Sequence, residues 1–294
     1  MSSAQQPLPN LAWYHIDDPN SPALDELARR FHLHELQIED CRHRPQRAKT
    51  EEHEQYIFIV AKHLHPGQRL VFDDLDVFVG ADFLITVSCG DSDYLSRVMQ
   101  RATQGRVSRL DKLLYIVLDV IVDAYLPVLD EIAEEIARLE SSVLENPAPH
   151  TLRHILRMKR RLVEFRRTAS GMREVVNTII RMEVSLIDDT LDPYFRDIYD
   201  HLVRTVDLIE TYRDLLTGSL DIYLSATANR TNDVMKVLTI YGTIALPLVI
   251  ITGFFGMNLH LPWMQSSYGV WYAAGLMVMS TLGILYYFKR KHWF

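Results

Sequence analysis

Small and moderately polar side chains recur at heptad-like steps between residues 221 and 253. Such a stripe is too polar to face lipid and too apolar to face bulk water. Amides and carboxylates in such positions can hold hydrated cations, and rings of apolar side chains can stop ions by excluding water. The pattern is typical of the inner wall of a helical ring around a narrow pore. The stripe consists of Asp221, Ala228, Asn232, Met235, Thr239, Gly242, Leu246 and Gly253.

The triplet Gly256-Met257-Asn258 lies between two apolar segments. No Asp, Glu, Lys or Arg occurs from Val237 to Phe288. Each flank supplies about 20 apolar residues, the length a helix needs to cross a bilayer core of roughly 30 Å. The intervening piece contains Gly, Asn, Pro and Ser, which indicates a tight loop. The sequence therefore predicts a C-terminal transmembrane hairpin with the triplet at its turn. A helix cap and turn at Gly256 and Asn258 fits the pattern equally well.

Basic residues beside the two spans predict their orientation. Arg230 and Lys236 precede the first span, and a basic tail at 289–294 follows the second, whereas the loop holds only His260. Because Lys and Arg stay preferentially on the cytoplasmic side, we expect both termini inside the cell and the loop outside.

Composition limits the other classes of function. The net charge of −7 argues against nucleic acid as a partner. No Gly-rich phosphate loop, nucleophile elbow or HExxH motif is present, so the sequence does not predict an enzyme. The N-terminal histidines could suggest zinc, but their spacing together with Cys41 fits no closed zinc site. These histidines are His32, His34, His43, His53, His63 and His65.

Residues 1–106 mix strand-like and helical segments, which predicts a cytoplasmic α/β domain of the α+β class. Strands are expected where Val, Ile, Phe and Tyr cluster, and helices where apolar residues recur at three- and four-residue steps. Ser21 precedes one such helix as a candidate N-cap. The predicted strands lie in 11–16, 54–64, 69–80 and 82–88, and the predicted helices in 21–31 and 92–103.

Long helices follow this domain. Helical periodicity over 110–145 and 151–183, broken near Pro147, predicts an antiparallel hairpin at 107–185. A stalk helix at 193–255 then continues into the first span without a breaker before Pro247. At 1.5 Å per residue it reaches about 90 Å, so it must pack against its own copies or against the hairpin. The outer loop is expected at 256–268 and the second span at 269–288.

Several segments together resemble the CorA family of magnesium channels. The Gly256-Met257-Asn258 triplet after the first of two C-terminal spans is that family's signature. The resemblance extends to the stalk stretch 193–226, the segment 226–248 before the triplet, the basic tail FKRKHWF, and EDCRHRPQR at 39–47. It covers the chain from about residue 30 to the end.

The resemblance implies a funnel-shaped homopentamer whose stalk helices line a pore through the lipid bilayer of the cell's inner membrane. It implies influx of Mg²⁺, with Co²⁺ and Ni²⁺ as further divalent ions, and closure by cytoplasmic Mg²⁺ bound between subunits. Gly256, Met257 and Asn258 would hold hydrated Mg²⁺ at the outer mouth, because Mg²⁺ sheds its water reluctantly.

Further site residues follow from the resemblance and the stripe. Asn232 and Asp221 would hold hydrated ions in the pore, although a solvated stalk surface remains open for Asp221. Met235, Leu238 and Leu246 would form an apolar gate, with ordinary helix packing as the alternative. The resemblance also implies regulatory sites between subunits, formed by Glu39, Asp40, Asp119, Asp197 and His201.

The chain departs from the family pattern in its outer loop, where residues 259–268 contain no acidic side chain. Phe255 stands where Tyr is common, and Val249 where a Thr often faces the pore. One alternative is a zinc transporter of the same architecture, but such relatives tend to have Val in place of Met257. Another is a membrane-tethered oligomeric sensor that conducts no ions.

Overall fold

A computed structural model of the chain describes residues 7–8, 11–65, 70–90, 93–145, 148–182, 186–257 and 268–291. The chain divides into two compact units, Met1–Leu220 and Asp221–Phe294. The first unit contains a five-stranded sheet and most of the helices. The strands are β1 (Trp13–Ile16), β2 (Lys49–Glu52), β3 (Tyr56–Leu64), β4 (Phe72–Gly80) and β5 (Leu84–Val87).

The sheet is mixed, with the strand order β1-β5-β4-β3-β2. Strand β1 runs parallel to β5, with Trp13 opposite Leu84, and the other neighbours are antiparallel. This sheet confirms the predicted α+β class and the four predicted strands. Strand β2 was not predicted, because its sequence KTEE carries no apolar residue and its strand form depends on pairing with β3.

Two short helices, α1 (Pro22–Phe31) and α2 (Glu35–Arg42), cover one face of the sheet. Ser21 caps α1 by accepting a hydrogen bond from the backbone N–H of Ala23 at 3.3 Å, as expected for its N-cap position. The second helix, which carries Glu39 and Asp40, was not predicted. The core on this face combines Leu24, Leu27, Ile38 and Cys41 with Phe58, Phe78 and Ile85.

The helices of the first unit that follow the sheet are α3 (Asp93–Gln104), α4 (Leu110–Asp123), α5 (Tyr125–Glu145) and α6 (Pro149–Arg181). The prediction of one helix over 110–145 is wrong at Ala124, which separates α4 from α5. Pro127 gives the reason, because it has no N–H to bond the carbonyl of Asp123 and its ring crowds that group. The Tyr125 hydroxyl then donates to the carbonyl of Lys62 at 2.5 Å, which ties α5 to β3.

The predicted stalk is a single helix, α7 (Asp192–Phe255), which continues through Pro247. Its first part packs in the first unit, where Arg166 of α6 lies 2.7 Å from Glu210. In the second unit, α7 is followed by α8 (Gly269–Arg290). Both α7 and α8 are long and apolar enough to cross a membrane.

Candidate ion pathway and regulatory cluster

Exposed side chains of α7 make up the predicted pore stripe. Asp221 and Asn232 are exposed, and Met235, Leu238 and Leu246 are 56%, 65% and 62% exposed. At about 100° per residue, the three apolar side chains fall within an arc of about 80° on the helix. Such a face could line a pore or pack against another chain.

Threonines within the apolar part of α7 use their hydroxyl donors inside the helix. Thr239 donates to the carbonyl of Met235 at 2.8 Å, Thr243 to that of Thr239 at 2.7 Å, and Thr252 to that of Leu248 at 2.9 Å. A polar hydrogen without a partner is costly in hydrocarbon, so these bonds suit a membrane span. The hydroxyl oxygens can still accept hydrogen bonds from the water around an ion.

Helix α7 ends at the predicted outer mouth. The N–H of Gly256 donates to the carbonyl of Thr252 at 2.8 Å, and that of Met257 to the carbonyl of Phe254 at 3.3 Å. A Cβ atom at Gly256 would lie 3.0 Å from the Thr252 carbonyl, so glycine fits this tight ending. The last carbonyls of a helix form the negative end of its dipole, which favours a cation there. Asn258 lies outside the described residues.

Three of the five predicted regulatory residues lie in one region of the first unit. Asp119 is on α4, and Asp197 and His201 are one turn apart on α7. The guanidinium of Arg101 on α3 bonds Asp119 and lies 2.7 Å from Asp123. Burial raises the pKa of Asp119, and the charge of Asp123 adds to this, whereas Arg101 opposes it. His201 Nδ1 lies 3.5 Å from Asp123 Oδ1.

The other two predicted regulatory residues lie on α2. Asp40 Oδ2 accepts a hydrogen bond from Lys49 Nζ at 2.7 Å, and the same ammonium lies 2.5 Å from Glu51. Burial would lower the pKa of Lys49, but its bonds to Asp40 and Glu51 raise it. Glu39 is exposed, 3.9 Å from His43. The structure therefore gives Asp40 a cationic partner, Lys49, within its own chain.

A family model described as CorA-like Mg²⁺ transporter protein matches residues 10–290. The chain belongs to the CorA family. The cobalt/magnesium transport protein CorA of Thermotoga maritima is 38% identical over 276 residues, which cover 90% of this chain and 77% of that protein. CorA of Methanocaldococcus jannaschii is 25% identical over 289 residues, or 96% of this chain and 91% of that one.

Solved structures confirm the fold of this CorA member. The complete structure of the CorA magnesium transporter from Methanocaldococcus jannaschii matches with a TM-score of 0.86 at 24% identity, covering 96% of this chain and 91% of that chain. The mixed sheet, the long helices and the two C-terminal candidate spans therefore form a CorA fold, as the sequence predicted.

Sequence reasoning missed Arg101 and Lys49, which bond the predicted regulatory carboxylates Asp119 and Asp40. It also missed Asp123, which shares Arg101 with Asp119 and lies near His201. The spacing of Asp119 and Asp123, one helical turn apart, was a readable signal for a shared face. Arg101 gave no such signal, because it comes from another helix. Among the residues that the structure describes, no group of three or more His, Cys, Asp or Glu side chains could hold a metal ion within one chain.

Proposed function

We propose that this chain is the subunit of a Mg²⁺ channel in the cell membrane and that cytoplasmic Mg²⁺ closes the channel. The observation that carries the proposal is the exposed face of α7, with its polar and apolar side chains, in a chain of the CorA family. The named relatives are a cobalt/magnesium transport protein and a magnesium transporter. Transport of Co²⁺ and Ni²⁺ belongs to the same proposal.

The ion path is proposed to follow α7 along the axis of a homopentamer. Gly256, Met257 and Asn258 hold the hydrated ion at the outer mouth, and Asn232 and Asp221 hold it further along. The amide oxygen of Asn258 accepts hydrogen bonds from the ion's water, which suits a cation that keeps its hydration shell. The negative end of the α7 dipole, at Gly256, supports a cation at this place.

Closure is proposed to combine a dry constriction with a metal-stabilised cytoplasmic ring. Met235, Leu238 and Leu246 exclude water when the helices are close together. Mg²⁺ between subunits joins Glu39 and Asp40 of one copy to Asp119, Asp197 and His201 of the next. Carboxylates that approach each other across an interface repel unless a cation lies between them, so Mg²⁺ favours the closed ring.

The remaining assignments complete the proposal. Both termini are cytoplasmic in the inner membrane, because basic residues flank the two spans on that side. The α/β domain at 1–106, the hairpin at 107–185 and the stalk at 193–255 form the subunit's parts, followed by the loop, the second span and the tail. Mg²⁺ is both the transported and the regulatory ion, and no catalytic step is involved.

Uptake into proteoliposomes tests the entry site directly. We expect Asn258→Ala to abolish Mg²⁺ uptake while the oligomer stays intact, because the substitution removes the amide that contacts the ion's water. Asn229→Ala is the matched control, since Asn229 is also exposed but lies off the gate face of α7 by about 100° or more. Normal flux in the Asn258 variant would exclude this entry role. Parallel assays with Zn²⁺ distinguish the zinc-transport alternative.

A further inference from the structure

One arginine of α3 spans two carboxylates of α4. Arg101 Nη1 bonds Asp119 Oδ2, and Arg101 Nη2 donates to Asp123 Oδ2 at 2.7 Å. Asp119 and Asp123 are four residues apart and so share one helix face, where a single guanidinium reaches both. The Asp119 side chain is only 11% exposed, whereas that of Arg101 is 45% exposed. The cation therefore covers Asp119 on its solvent side, whereas Asp123 stays 35% exposed.

The same carboxylates form a wider acidic region. Asp123 faces Arg101 with one oxygen and His201 of α7 with the other, at 3.5 Å. The nearby tyrosine Tyr115 is affected by these negative charges. Its pKa is raised to about 12, first by burial and then by the charges of Asp119 and Asp197. Without Arg101, this region would contain three carboxylates, those of Asp119, Asp123 and Asp197. Among the residues that the structure describes, protonated His201 would then be the one cation paired with Asp123, and Asp119 would have none.

We propose that Arg101 is a tethered cation that competes with Mg²⁺ for Asp119 and Asp123 and thereby sets the Mg²⁺ concentration at which the cytoplasmic ring closes. This inference rests on the proposed regulatory role of Asp119. Mg²⁺ takes carboxylate oxygens as ligands, and the guanidinium already occupies one oxygen of each carboxylate through charge-assisted hydrogen bonds. A Mg²⁺ ion that binds Asp119 through Oδ2 must displace Arg101, whose exposed side chain can move away towards solvent.

The competition predicts that removing the guanidinium strengthens the response to Mg²⁺. Full-length protein in detergent is digested with protease at increasing Mg²⁺, and the concentration giving half protection is measured. We expect Arg101→Gln to lower that concentration about tenfold, because an ion pair with a half-exposed guanidinium contributes little more than an exposed pair. Arg101→Lys keeps the charge but cannot bridge both carboxylates, so it should lower the concentration by less.

Arg166→Gln is the matched control. Arg166 also pairs with a carboxylate, Glu210, at 2.7 Å, and its side chain is 47% exposed, close to the value for Arg101. We expect this control to leave the half-protection concentration unchanged. An Arg101→Gln protein that needs the same or more Mg²⁺ than the wild type overturns the competition. If Arg101→Gln does not fold, Arg101→Lys decides, and an unchanged value there overturns the proposal.

The assay separates this inference from the proposed function. Mg²⁺-dependent protection in the wild type with no change in the Arg101 variants rejects the competition and leaves the regulatory site standing. Absence of protection in the wild type and in every variant rejects both the regulatory site and the competition. Transport itself is measured separately, by Mg²⁺ uptake into proteoliposomes. A protein that takes up no Mg²⁺ would contradict the proposed transport, whereas the protease result would still decide the competition.

Discussion

Arg44 lies two residues after the end of α2 and binds this part of the chain to the sheet. We expect removal of its guanidinium to destabilise the first unit by about 3–5 kcal/mol. Its guanidinium lies 2.6 Å from Asp76 Oδ2 and also donates to the carbonyls of Asp74 at 2.5 Å and Val87 at 3.1 Å. Asp76 is fully buried. Arg44→Met would leave that carboxylate in the core without its cation. The same change would loosen α2, which carries Asp40.

The loss should depend on pH, with a sign that follows from the pKa of Asp76. Burial raises this pKa from 3.8 to about 6, although Arg44 opposes the shift. A carboxyl with a raised pKa in the folded state contributes stability at acid pH, and the contribution is lost as the pH rises through about 6. About two pKa units correspond to about 3 kcal/mol. Removing Arg44 raises the pKa further, so the variant should be weakest above about pH 7 and should recover in acid.

A buried histidine has the opposite effect in the same pH range. Burial lowers the pKa of His15 from 6.5 to about 4, so its contribution to stability is lost as the pH falls through that window. The two groups partly cancel in the wild type. The difference in unfolding free energy between Arg44→Met and the wild type removes the contribution of His15. It leaves that of Asp76 and a smaller one from His63, whose pKa is lowered first by burial and in part by the charge of Arg44.

Urea unfolding of the full-length protein in detergent, followed by pulse proteolysis, measures this difference. Arg42→Met is the control, because Arg42 is the last residue of α2, two positions before Arg44, and pairs with Asp25 at 2.7 Å, with the two side chains 33% and 53% exposed. An exposed pair contributes at most about 1 kcal/mol. The reasoning is refuted if Arg44→Met costs no more than the control near neutral pH, or if its cost does not shrink in acid.

Three further predictions concern the pore, the ring and the core. Leu238→Asn should ease wetting of the constriction and raise Mg²⁺ leak in high Mg²⁺, and an unchanged leak would place the gate elsewhere. Asp40→Asn combined with Asp197→Asn should weaken Mg²⁺-dependent protection from protease and shift the inhibition of uptake to higher Mg²⁺ concentration. If protection and inhibition are both unaltered, the two residues are surface charges only. His15→Gln should reduce the stability that the wild type loses between about pH 6.5 and pH 4, measured by urea unfolding, and an unchanged loss would exclude His15 as its source.

Local sequence patterns were enough to predict most of the fold. Strands β3, β4 and β5 carry dense runs of Val, Ile, Leu and Phe, and Ser21 marks the start of α1 by its own hydrogen bond. Strand β2 could not be predicted, because its polar residues become a strand only by pairing with β3. The break at Ala124 was overlooked because the apolar repeat continues across it, although Pro127 was a visible signal.

The candidate site was predictable to a smaller extent. The stripe on α7 followed from periodicity, because all its members lie on one helix. The cluster around Asp119 combines α3, α4 and α7, and no local pattern predicts that Arg101 meets Asp119 and Asp123 across 18 and 22 residues of chain. Such contacts depend on how the helices pack, which the spacing within one helix does not determine.

The absence of charge in the span restricts how a divalent ion could pass. Between Val237 and Phe288 the chain has no Asp, Glu, Lys or Arg, and Met235, Leu238 and Leu246 are apolar. Stripping water from Mg²⁺ in such a section would cost far more than any neutral side chain or carbonyl returns. If α7 lines the pore, the ion must therefore cross this section with its water. Opening of the proposed channel would then have to widen its ring of helices, because no local charge could make a narrow section permeable. The proposed cytoplasmic ring would act on this width when it tightens around Mg²⁺.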